Sequence, residues 1–111
     1  MALASKYKLD AQGFSRVFDQ GKAYRKAFFI VLAIPVSKQT GKIGVVVAKR
    51  NIKSAVARNR FKRVLYHWYQ QHQSVFSNFD MVVLVRYQAA SASKEHIQAC
   101  LDQLRALLLP A

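Results

Sequence analysis

Phe14, Val17 and Phe18 recur at i, i+3 and i+4, a spacing that predicts an amphipathic helix with one apolar face. Asp10 can cap its start, and Gly21 stops it after about Gln20. Lys22 to Arg25 then reads as a short strand. Ala27 to Ile34 (AFFIVLAI) is an almost unbroken apolar run rich in β-formers. Such a run predicts a central strand covered on both faces. Pro35 ends it, and Ser37 to Gly41 form a turn. Lys42 to Ala48 (KIGVVVA) predicts a third strand, antiparallel to the second.

Ser54 is positioned to cap a longer helix, Ala55 to about Gln71. On it Ala57, Phe61, Val64, Leu65 and Trp68 fall within about 100° of arc. Asn78-Phe79-Asp80 turns into a further strand, MVVLV. A long helix separates it from the preceding strand, which predicts that the two are parallel neighbours. Ser93 and Glu95 open a last helix, with Ile97, Leu101, Leu104 and Leu108 on one side and Pro110 as its stop. The order αβββαβα predicts an α+β fold: a small single-domain sandwich over residues 1–111, with helices against a four-stranded mixed sheet.

Charge sharpens the picture. The formal net charge is +13, and no Asp or Glu occurs between Asp19 and Asp80. A domain so short of counter-charge repels itself unless a polyanion neutralises it, so nucleic acid is the expected partner, ahead of an anionic membrane surface. Cys100 is the only cysteine, so no intrachain disulfide forms and a reducing compartment is expected. The first residues, MALASKYKLD, lack the apolar stretch of a signal peptide, and no apolar run is long enough to span a bilayer. These features predict a cytoplasmic protein without a membrane role.

The densest chemistry lies between Lys49 and Tyr69. Lys49, Arg50, Lys53, Arg58, Arg60, Lys62 and Arg63 crowd there without an acid. Asn59 and Arg63 lie opposite the apolar arc, with Arg58 and Lys62 on one flank and Arg60 on the other. Guanidinium forks suit phosphate, and Asn59 can both donate and accept, as a base edge or a 2′-hydroxyl requires. His67, His72 and His96 have no metal-site company. Cys100 reads as a small core residue. The five acids form no carboxylate pair for two-metal chemistry. Phe14 and Phe18 alone read as core.

AVARNRFKR resembles the RNR signature of the protein subunit of bacterial ribonuclease P. GFSRVFDQGK, KIGVVVAKRNIKSAV and FDMVVLVRYQAAS resemble other segments of that family, in register over nearly the whole chain. The resemblance implies a ribonucleoprotein endonuclease that removes the 5′ leader of precursor tRNA, with the catalytic centre in its RNA subunit and Mg²⁺ serving the chemistry. It implies no catalytic residue in this chain and a monomeric protein partnered by the RNA subunit and precursor tRNA. Lys53, Arg58, Asn59, Arg60, Lys62 and Arg63 would face the RNA subunit. Phe14 and Phe18 would line a cleft for the leader, and Lys49 and Arg50 would stand at its edge. A left-handed crossover between the parallel strands is also implied, against the general right-handed rule. Tyr66 and His67 depart from the Arg and Glu that often extend the signature, and Leu32 stands where some members carry an aromatic. The alternative is a ribosomal or other structural RNA-binding protein with no part in cleavage.

Overall fold

The computed structural model describes residues 5–37 and 40–108. Helix α1 is Ala11–Gln20, and the Asp10 carboxylate accepts the Gly13 N–H at its start at 2.8 Å. Strands β1 (Lys22–Arg25), β2 (Phe29–Pro35) and β3 (Ile43–Val46) follow. Helix α2 is Ala55–Gln71, capped by the Ser54 hydroxyl, which accepts the Ala57 N–H. After the short helix α3 (Gln73–Phe76) come β4 (Phe79–Val85) and α4 (Lys94–Leu108). The Ser93 hydroxyl accepts the His96 N–H at the start of α4. Pro110 and part of the Ser37–Gly41 turn lie outside the described residues.

The four strands form one mixed sheet in the order β1-β2-β4-β3. β2 pairs antiparallel with β1 and β4, whereas β3 pairs parallel with β4. The predicted parallel pair is therefore present. β2 and β3 run in opposite directions but are not neighbours, because β4 lies between them.

One face of the sheet carries Phe29, Val31 and Ala33 of β2, Met81, Val83 and Val85 of β4, and Ile43 and Val45 of β3, all buried. Against it pack Leu65, Trp68 and Tyr69 of α2 and Cys100, Leu101, Leu104 and Leu108 of α4. Burying each large side chain of this kind contributes about 1.5–3 kcal/mol. The other face is covered less completely. Ile30, Leu32 and Ile34 are only half-buried, so β2 is not sheathed on both faces as its apolar run predicts. α1 crosses that face, where Val17 and Val82 are fully buried.

Two further differences have physical causes. α3 has no counterpart in the sequence reading; Phe76 is fully buried against Trp68 and Tyr69, with ring centres 4.5 and 5.9 Å away, and four residues are too few for periodicity to reveal. Asp80 belongs to β4 rather than to the turn before it. Its buried carboxylate pairs with Arg16 of α1 and accepts the Lys42 N–H at 3.0 Å. Tyr69 likewise completes the α2 core stripe, and its hydroxyl donates to the Gly41 carbonyl at 2.8 Å. Burial, with smaller effects of Tyr7 and Asp80, pushes the Tyr69 hydroxyl up to about 12.

Candidate nucleic-acid interface

The loop between β3 and α2 is built before its cations can be presented. The N–H groups of Asn51 and Ile52 both donate to the Ala48 carbonyl at 3.0 Å. The Asn51 side chain donates to the Val85 carbonyl at 3.1 Å, which pins the loop to the end of β4. Ile52 is buried, while Lys49, Arg50 and Lys53 are exposed around it.

Along α2, Asn59, Arg60, Lys62 and Arg63 are all exposed. Leu65, Trp68 and Tyr69 hold the inner side, and Phe61 meets Phe29 edge-on at 6.5 Å. Among the described residues, the Arg16–Asp80 pair is the only salt bridge. The α2 cations therefore carry unneutralised charge on a helix whose position is set by the core. Solvated helix faces ordinarily mix signs; this one does not.

Arg58 departs from the outward strip. It is half-buried, and its Nη1 donates to the carbonyls of Ile52 and Lys53, each at 2.9 Å. Arg58 precedes Leu65 by seven residues, two helical turns, and so points to the same side. Its guanidinium closes the preceding loop onto the first turn of α2 and still carries its charge at that edge. Tyr66 is half-buried, and burial raises its hydroxyl pKa. The Lys8 ammonium lies 5.3 Å from the Tyr66 ring centre, so a cation stands near this position. His67 is exposed.

The second candidate region lies on the less covered face of the sheet. The register aligns Arg25, Ile30, Leu84 and Val46 in one row across the four strands. Ile30, Leu84 and Val46 are half-buried and Arg25 is exposed. The next row is Ala23, Leu32, Val82 and Gly44. Phe14 packs on Gly44 and is half-buried, whereas Phe18 is 50% exposed. Lys49 and Arg50 follow β3 at the same sheet end as Arg25. The Arg86 guanidinium also lies there, donating to the Lys26 carbonyl at 2.8 Å. A partly open apolar floor thus meets a cationic rim, as a single strand of nucleic acid requires.

The sequence reading places Phe14, Phe18, Lys49 and Arg50 here, takes Ile30 as packing, and misses Leu84, Val46 and Arg25. The strand parity that separates Ile30 from Phe29 could have found the floor. Lys53, Asn59, Arg60, Lys62 and Arg63 are gathered on a different element, along α2 and the loop before it. Among the described residues no group of three or more His, Cys, Asp or Glu side chains could hold a metal ion. Among them too, no helix is long and apolar enough to cross a membrane.

A family model described as Ribonuclease P matches residues 3–108. The ribonuclease P protein component of Vibrio cholerae serotype O1 is 30% identical over 96 residues, covering 86% of this chain and 81% of that protein. Among solved structures, a mutant RNase P protein of Staphylococcus aureus superposes with a TM-score of 0.80 at 23% identity, over 91% of this chain and 86% of that one. The RNase P protein of Thermotoga maritima gives 0.78 at 22% identity, over 93% and 98%.

Proposed function

This chain belongs to the ribonuclease P protein family, and from that premise we propose that it is the protein component of a ribonuclease P that removes the 5′ leader of precursor tRNA. The observation that carries this reading is the exposed, acid-free row of Asn59, Arg60, Lys62 and Arg63 on α2. With Lys53, these residues bind the RNA subunit. Each phosphate they neutralise releases counterions, which supplies affinity without requiring a particular base sequence. Arg58 holds the preceding loop in place beside them.

The leader of the substrate lies over Ile30, Leu84 and Val46, with Phe14 and Phe18 offering aromatic surface and Lys49 and Arg50 meeting phosphates at the edge. Stacking tolerates any base, which suits leaders of differing sequence. Holding the leader raises substrate affinity without contact with the bond that breaks. No side chain of this protein performs the cleavage; the chemistry belongs to the RNA subunit. Mg²⁺ serves that chemistry through the RNA and the substrate phosphates. The protein acts as a monomer in the cytoplasm.

Reconstitution at low Mg²⁺ tests this function. The purified protein should restore cleavage of leader-bearing precursor by the RNA subunit. A protein that binds RNA but leaves precursor cleavage unchanged would be a structural RNA-binding protein instead.

A further inference from the structure

The flank of α2 that carries Arg60 and Val64 does not close against α4. A groove of about 670 Å³ lies between the two helices and the segment after β4. That volume falls within the roughly 300–1,000 Å³ typical of sites for small ligands. Its walls are apolar, with Phe61, Val64, Ala89 and Ile97 among them, and Lys53, Arg60 and Lys94 stand around them. No Asp or Glu lines it. Val64 is 38% exposed there, although its side chain is fully apolar.

We propose that this groove takes an unpaired base of the RNA subunit, with the adjoining phosphates held by Lys53, Arg60 and Lys94. The proposal rests on the function given above and deepens it. Apolar walls suit the face of a base, and a rim with cations and no acids suits the phosphates on either side of it. An acidic peptide would also satisfy the charge. RNA is favoured because Arg60 belongs both to the exposed row on α2 and to the groove. An RNA strand lying along that row passes the groove mouth, so no second macromolecule is needed.

The test uses the holoenzyme reconstituted from the full chain and the purified RNA subunit. Val64→Cys, carrying a photoreactive label (the native Cys100 is buried), should cross-link to an unpaired nucleotide of the RNA subunit. Lys94→Ala should make the log–log salt dependence of RNA-subunit binding shallower by about 0.7–0.9. The same label on Asn59→Cys reports contact with the α2 row. Cross-links from position 59 but none from position 64, with an unchanged salt slope for Lys94→Ala, would overturn the groove assignment and leave the proposed function standing; an acidic peptide as the true occupant gives this result. Silence from both positions, with precursor cleavage also left unchanged by the protein, would overturn the function and the groove with it.

Discussion

The ring of Phe14 lies against the backbone of Gly44, with its atoms in the space where a β-carbon would stand. α1 can approach β3 at this point only because position 44 has no side chain. Gly44→Val should push Phe14 off the sheet and destabilise the fold by about 1–3 kcal/mol, as overpacking does. Urea denaturation measures the loss. The same variant should weaken leader-bearing precursor and spare mature tRNA.

Phe18 is half exposed and contributes less packing than Phe14. Phe18→Ala should therefore leave the melting temperature nearly unchanged. It should weaken binding of leader-bearing precursor about tenfold, within the range of one lost base stack, and leave mature tRNA binding unaltered. Equal losses for both ligands would remove Phe18 from the leader path.

Arg58 and Arg63 share a helix and a charge, yet their substitutions should differ. Arg58→Ala removes two hydrogen bonds to backbone carbonyls and should lower stability by about 1–2 kcal/mol. Arg63→Ala should leave stability intact and make the salt slope of RNA-subunit binding shallower by about 0.7–0.9. Thermal melts and a salt titration on the same two variants separate the roles.

Asp80 joins α1 to the sheet through Arg16 and also accepts the Lys42 N–H. Asp80→Asn keeps an acceptor for Lys42 and should cost about 1 kcal/mol. Asp80→Ala keeps neither bond and should cost about 2–3 kcal/mol; the half-exposed Arg16 is resolvated, which holds the loss below that of a fully buried pair. Equal costs for the two variants in urea would show that the Lys42 bond contributes nothing.

Tyr69 gives the fold an alkaline limit. Its folded-state pKa is about 12, against about 10 for a free tyrosine. The folded chain therefore holds a proton that the unfolded chain releases between these values. The stabilisation is complete below about pH 10 and is lost as pH rises towards 12. Tyr69→Phe should be less stable by about 1 kcal/mol at neutral pH, through the lost bond to Gly41. Its stability should fall less steeply from pH 10 to 12, as denaturation across that range would show.

The elements with strong local signals were legible in the chain. Asp10, Ser54 and Ser93 cap the helices they predict, and the spacing of Leu101, Leu104 and Leu108 gives the buried side of α4. What required the third dimension was pairing and depth. No local pattern says that β4 inserts between β2 and β3, or that the AFFIVLAI strand has one open face. Tyr69 was overlooked because its polar tip disguises a buried ring. Including it in the apolar arc of α2 would have put Arg58, between Leu65 and Tyr69 in angle, on the inner side. Exposed cations could be read directly from an acid-free stretch and strand parity could have singled out Ile30, whereas its neighbours in the cleft floor, Leu84 and Val46, needed the register.

The strand order also imposes a timetable on synthesis. β3 has its partner in β4, which leaves the ribosome only after the whole of α2. Until then β2 lacks one neighbour, and the most cationic helix has no completed sheet beneath it. Long-range pairing of this kind slows folding and leaves strand edges open to wrong partners in the meantime. The nascent chain thus displays the positive charge of α2 before it has the completed sheet with which to direct it.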